Sequence, residues 1–211
     1  MDPMDTHRIK SDYLGAAAAF LELIRQVPET AWPQPALGDW DVRGLVGHAS
    51  RALTTVETYL GAPGTAPAGG KRVDGPVAYY LAVRDSTTPD AIAQRGRETG
   101  DALGKNPAEA VQDLVQRITM LVRHTPDEAL VATPAGTMTL IDYLPTRTFE
   151  LAVHGLDLAR ALGLEPPPSL TPAVAASLEL AGAIGARLPS APELLLLLTG
   201  RSGLPPNLSV V

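Results

Sequence analysis

An all-α fold, a helical bundle carrying one small β-hairpin, is predicted by three features of this 211-residue chain. Apolar residues recur at helical spacing through most of the sequence. They make up 45% of the chain while aromatics supply only 4%, so the core is expected to be layers of Ala, Leu and Val. Strand-like patterning bounded by turn residues occurs in one short stretch, 129–139.

Each element follows from local signals. Ser11 is a good N-cap, so a first helix is expected from there to Gln26, with Pro28 stopping it. Residues Pro33 to Gly38 read as a loop. Asp39 or Asp41 then caps a second helix reaching Leu60, whose apolar positions Val42, Leu45, Val46, Ala49, Leu53, Val56 and Leu60 fit the helical repeat. Gly61 to Gly75, rich in Gly, Pro and Ala, reads as a flexible loop. A third helical region follows Pro76 and contains Tyr79 and Tyr80. Another begins near Pro89 and breaks around Gly104, and helix resumes from Pro107 to about Arg123. Leu130-Val131-Ala132 and Thr137-Met138-Thr139, joined by Pro134-Ala135-Gly136, predict a hairpin.

The next helix starts with Thr139 and Asp142 in the Ser/Thr-x-x-Asp/Glu pattern. Pro145 should kink it or delay its regular part. It ends at Leu162, with Gly163 as the stop. Pro166 to Pro168 form a rigid linker. A long helix is expected over Pro172 to Arg187 and a short one around Leu194 to Leu198. That leucine run is most simply a packing segment, with a homodimer contact as the alternative.

Composition excludes several function classes. A net charge of −6 argues against a nucleic-acid partner. The leucine run is far shorter than the ~20 apolar residues of a membrane span, so no membrane partner is expected. There is no cysteine, which rules out thiolate metal sites and cysteine nucleophiles; any thiol chemistry needs a thiol from outside. Met1 to Lys10 lacks a secretory apolar region, so the expected location is cytoplasmic.

The helix after Pro145 carries the chemistry. Arg147, Glu150, His154 and Asp157 are spaced by three, four and three, and so share one face; Tyr143 extends the line backward. Leu151, Val153, Leu156 and Leu158 flank this stripe, which suggests that it faces a cavity inside a bundle. Glu150 and His154 lie one turn apart, where a carboxylate oxygen and an imidazole nitrogen can share an ion. His48 is the natural third ligand. Gly44 and Ala52, small residues one turn to either side, leave room around its ring. Taken singly, each residue has a plainer reading: an i,i+4 helix pair for Glu150 and His154, a packed histidine for His48. Arg147 pairs with Glu150 or serves the site. Asp157 orients His154 or caps the stripe in solvent. His124 is read as a helix C-terminal residue and His7 as a solvated one.

Asp39-Trp40-Asp41-Val42-Arg43-Gly44-Leu45-Val46-Gly47-His48 resembles the second-helix signature of the DinB-like superfamily, and more closely that of the mycothiol-dependent maleylpyruvate isomerase family. Asp142-Tyr143-Leu144-Pro145-Thr146-Arg147 and Glu150-Leu151-Ala152-Val153-His154-Gly155-Leu156-Asp157 carry the second half of the pattern. The resemblance spans roughly residues 11–163. It implies a DinB-like up-and-down four-helix bundle, a metal site at His48, Glu150 and His154, and mycothiol as a thiol cosubstrate activated by the metal. The chain is then expected to divide into a metal-binding bundle, 1–164, and a helical extension packed on it, 165–211. Isomerases of this family carry a larger C-terminal α/β domain, so isomerisation of maleylpyruvate itself is not expected.

The leading expectation is a metal-dependent thiol transferase or isomerase acting on a small electrophilic molecule. Zn2+ suits the donors best, with Ni2+ or Fe2+ as alternatives. Arg147 would hold a substrate carboxylate or the thiol cosubstrate, Tyr59 would line the cosubstrate site, and Tyr143 or Tyr59 would move a proton. The same donors also suit a zinc hydrolase, with Asp157 as a possible base, or a non-haem iron oxygenase. A bundle without catalysis, binding a small molecule, is the third reading.

Overall fold

The computed structural model describes residues 3–60, 71–84, 88–203 and 209–211. Most of the expected loop from Gly61 to Gly75 lies outside them. Helices dominate: α1 (Pro3–Ile24), α2 (Val42–Leu60), α3 (Gly75–Val83), α4 (Pro89–Ala102), α5 (Pro107–His124), α6 (Leu140–Leu162), α7 (Thr171–Gly185) and α8 (Ala191–Leu198). Two antiparallel hairpins accompany them, β1 (Pro35–Leu37) with β2 (Trp40–Asp41) and β3 (Leu130–Thr133) with β4 (Gly136–Thr139). None of the described helices is long and apolar enough to cross a membrane.

The core is as lean as the composition requires. Ala16, Ala17, Ala19, Ala49 and Ala52 are buried beside Leu23, Leu45, Leu53, Leu144 and Leu151. Helix α6 sits at the centre, packed on α1, α2 and α7, while α4 lies along α2 and α5 touches both α1 and α2. Helices α2 and α4 meet closely. A Cβ at Gly47 would overlap the backbone of Gly96 and Gly100, so only glycine allows these helices to meet there.

Cap chemistry sets the helix starts. The Asp41 carboxylate accepts from Gly44 N at 2.7 Å and opens α2. The Thr139 hydroxyl accepts from Asp142 N at 3.2 Å and donates to the Asp142 carboxylate at 2.6 Å, opening α6. Helix α6 is continuous through Pro145, so its regular part is not delayed. Gly163, in the left-handed region at φ 66, closes it.

Three expectations need correction. Helix α1 begins about two turns before Ser11. Those polar turns carry little apolar period, and tertiary contacts hold them: Lys10 Nζ reaches Asp127 at 2.6 Å and the Thr125 carbonyl at 2.9 Å. The stretch Pro33 to Gly38 is not all loop, since β1 pairs with β2 across Gly38, whose φ is 54. Finally, Leu195, Leu196 and Leu198 are exposed, so α8 packs only in part; Leu194 lies against Gly185.

Candidate metal centre

Two helices build the site. His48 projects from the middle of α2; Glu150 and His154 project one turn apart from the middle of α6. One ligand atom from each of the three lies within 4.8 Å of the others. Glu150 Oε2 is 3.5 Å from His154 Nε2, and the His48 and His154 rings meet edge to face with centroids 4.7 Å apart. All three side chains are partly buried.

The electrostatics prepare three different protonation states. Burial, reinforced by the nearby His154, pushes His48 down to about 4, so its ring is neutral at ordinary pH. Burial acts against a charged His154 too. Hydrogen bonds from its ring to Asp157 and Glu150 outweigh that and raise it to about 9. Burial alone would raise Glu150. Its hydrogen bond with His154 and the Arg147 charge overcome the penalty and hold the carboxyl well below the usual range. Without an ion, the Glu150–His154 pair is therefore held together by a proton that a cation would replace.

Asp157 takes the orienting role. Its Oδ2 lies 3.1 Å from His154 Nδ1, which fixes that nitrogen as the donor and turns Nε2 toward Glu150 and His48. Arg147 does not form an ion pair with Glu150 among the described residues. Its Nε donates to Thr146 Oγ1 at 3.0 Å, and its guanidinium sits 4.8 Å from the Tyr143 ring centre and 5.6 Å from that of Tyr79. Tyr143 donates to Thr55 Oγ1 at 3.0 Å, and burial raises its phenol above the normal value. Tyr59 is half-buried with its ring 5.8 Å from Tyr143.

The flanks of the stripe are unequal. Leu151 and Leu158 are fully buried, but Val153 and Leu156 are more than a third exposed, so only one side of the stripe is sealed by core. His7 and His124 are exposed, and His124 Nδ1 lies 2.7 Å from the Met120 carbonyl.

Two residues at the centre were given no role from the sequence. Tyr80 donates to Glu150 Oε1 at 2.8 Å and lies 3.1 Å from the Thr146 carbonyl. Trp40 stacks on His48 with ring centroids 4.4 Å apart and 28° between planes. The space that Gly44 leaves is therefore taken by the indole: a Cβ there would stand 2.9 Å from Trp40 Cδ1. The scarcity of tryptophan, placed one residue before the α2 cap, was the available signal for Trp40. No comparable signal marked Tyr80, which arrives from a separate helix.

His48 and Glu150 of the triad open onto a cavity of about 630 Å³. Its wall carries His48 and Glu150, the four arginines Arg51, Arg84, Arg95 and Arg147, and the tyrosines Tyr59, Tyr79, Tyr80 and Tyr143. Glu150 is the one acidic side chain among its described lining residues. Two imidazoles and a carboxylate are donors that suit zinc, nickel or ferrous iron. The residues fit an ion on a further observation: the buried Nδ1 of His48 has no hydrogen-bond partner among the described residues.

No curated protein and no solved structure matches the chain significantly. A family model does, that of the mycothiol maleylpyruvate isomerase N-terminal domain, over residues 13–159. The match takes in the whole of α2 and nearly all of α6, and with them His48, Glu150, His154 and Asp157. By that match the chain belongs to the family of the mycothiol maleylpyruvate isomerase N-terminal domain.

Proposed function

We propose that this protein is a metal-dependent enzyme that uses mycothiol as cosubstrate to transfer to, or isomerise, a small electrophilic molecule. The observation that carries this reading is the convergence of His48, Glu150 and His154 within 4.8 Å, beside a cavity rich in cationic side chains. In this reading residues 1–164 form an up-and-down bundle around the ion, 165–211 are an extension of it, and the protein works in the cytoplasm.

His48, Glu150 and His154 would hold a divalent ion, most suitably Zn2+. When bound, the ion supplies positive charge that lowers the pKa of a thiol beside it. The protein's own groups do the rest. Asp157 engages His154 Nδ1 and so leaves Nε2 as the nitrogen that faces Glu150 and would take the ion, and Tyr80 holds one oxygen of Glu150. Arg147, clamped between two phenol rings, presents a fixed positive charge for a substrate carboxylate or for the cosubstrate. Arg51, Arg84 and Arg95 line the same cavity, and none has a carboxylate partner among the described residues. Such a wall favours an anionic electrophile. The Tyr143 hydroxyl already donates a hydrogen bond to Thr55, so Tyr59 is the better placed phenol to exchange a proton with substrate.

A hydrolase using the same ion would want a second carboxylate as base. Asp157 is engaged by His154, and Glu150 is the only acidic side chain among the described residues of the cavity wall. That favours an external thiol as the nucleophile. Titrating mycothiol into zinc-loaded protein tests the reading. Saturable binding that His48→Ala removes is the expected result; no binding at millimolar thiol contradicts it.

A further inference from the structure

The two histidines of the triad are oriented by different means. His154 is turned by a carboxylate, through the 3.1 Å contact between its Nδ1 and Asp157. His48 has no such support: its buried Nδ1 has no hydrogen-bond partner among the described residues. A metal-binding imidazole almost always leans on an outer partner that fixes its plane. Here the one ring lying flat against His48 is the Trp40 indole, at 4.4 Å and 28°.

Trp40 is itself held from several sides. Its Nε1 donates to the Ala93 carbonyl of α4 at 2.9 Å. Gly44 beneath it and Gly96 beside it leave the exact footprint of the ring: a Cβ at Gly96 would stand 2.6 Å from Nε1. The same indole meets His154 edge-on at 6.4 Å. A hydrogen bond would set the tautomer of His48; a stacked indole sets only its plane and leaves both nitrogens available.

We infer that Trp40 is the positioning residue for His48, an aromatic brace that does for this ligand what Asp157 does for His154. The inference rests on the metal reading of the triad, and it adds that α4, through Ala93 and Gly96, is coupled to the geometry of the site. Trp40 touches the ligand, not the substrate, so its loss acts through His48.

Zinc affinity of Trp40→Leu and Trp40→Phe, measured against a competing chelator, tests it. Leu keeps apolar bulk but no flat face; Phe keeps a flat aromatic face while losing the bond to Ala93 and part of the indole's area. Trp40→Leu should bind zinc about 10–100-fold more weakly, as removal of outer support does elsewhere, and Trp40→Phe should recover most of that loss. Native affinity in Trp40→Leu, or an equal loss in both variants, overturns the inference. If Trp40→Leu does not fold, NMR of the metal-free native protein decides the matter. Ring protons of His48 should be shifted upfield of those of exposed His7 and His124, and the shift should shrink in Trp40→Phe. Unshifted ring protons overturn the inference. A native protein that takes up no zinc contradicts the metal reading instead, and the ring shift then judges the brace by itself.

Discussion

Replacing Asp157 with Asn sets proton against metal at the same nitrogen pair. Asp157 and Glu150 together overcome burial and raise His154 to about 9. A metal takes only the neutral ring, so the bound proton competes with it. At about pH 7, well below that value, the ring is almost wholly protonated, which weakens apparent affinity on the order of 100-fold. Loss of the carboxylate behind a ligand costs about 10–100-fold in intrinsic affinity. The same change lowers the ring's pKa and removes much of the competition. Near neutrality the two effects have similar size and opposite sign. By about pH 9 little competition is left even in the native protein. Chelator-competition titrations should therefore give similar zinc affinities at about pH 7 and a native advantage approaching 10–100-fold at about pH 9. Calorimetry in buffers of different ionisation enthalpy should show about one proton released per zinc at about pH 7 by the native protein, and fewer by Asp157→Asn. An affinity gap independent of pH, or no proton release from the native protein, refutes the reasoning.

Metal-free protein should be most stable close to neutral pH. The raised His154 contributes stability that is complete below 6.5 and lost as pH climbs through about 9. The lowered His48 works oppositely: its contribution is complete above 6.5 and lost as pH falls through about 4. Melting temperatures taken with chelator across that range should pass through a maximum, and a monotonic profile contradicts the assignment. Tyr80→Phe leaves Glu150 Oε1 without its donor, a change worth about 1.5–3 kcal/mol for a hydrogen bond to a charged group. Urea unfolding measures it, and an unchanged midpoint counts against the bond. Gly47→Ala forces α2 and α4 apart and should cost about 1–3 kcal/mol as overpacking. Native thermal stability in that variant would mean the helices stand farther apart than described.

Helix type and order were legible because periodicity and caps are local. The start of α6 at Thr139 and its end at Gly163 follow from neighbouring residues alone. The triad was legible for a related reason. A three-and-four spacing on α6 declares a face, and the small residues around His48 declare space. What filled that space was not legible, since the indole of Trp40 comes from β2 and is secured by α4, more than fifty residues away in sequence. Tyr80 belongs to the same class of contact, joining α3 to α6 across 70 residues. The first turns of α1 escaped because ion pairs, not an apolar stripe, hold them. The apparent sealing of Val153 and Leu156 failed because periodicity shows which residues share a face, not what covers it.

The most direct test of the metal site is the zinc stoichiometry of untagged protein, native and with His48→Ala, Glu150→Gln or His154→Ala, by elemental analysis after equilibration and desalting. One tightly held ion per native chain is expected, and none retained by any of the three variants, each with its helix content intact. Native protein that retains no ion, or a variant that keeps a full equivalent, contradicts it.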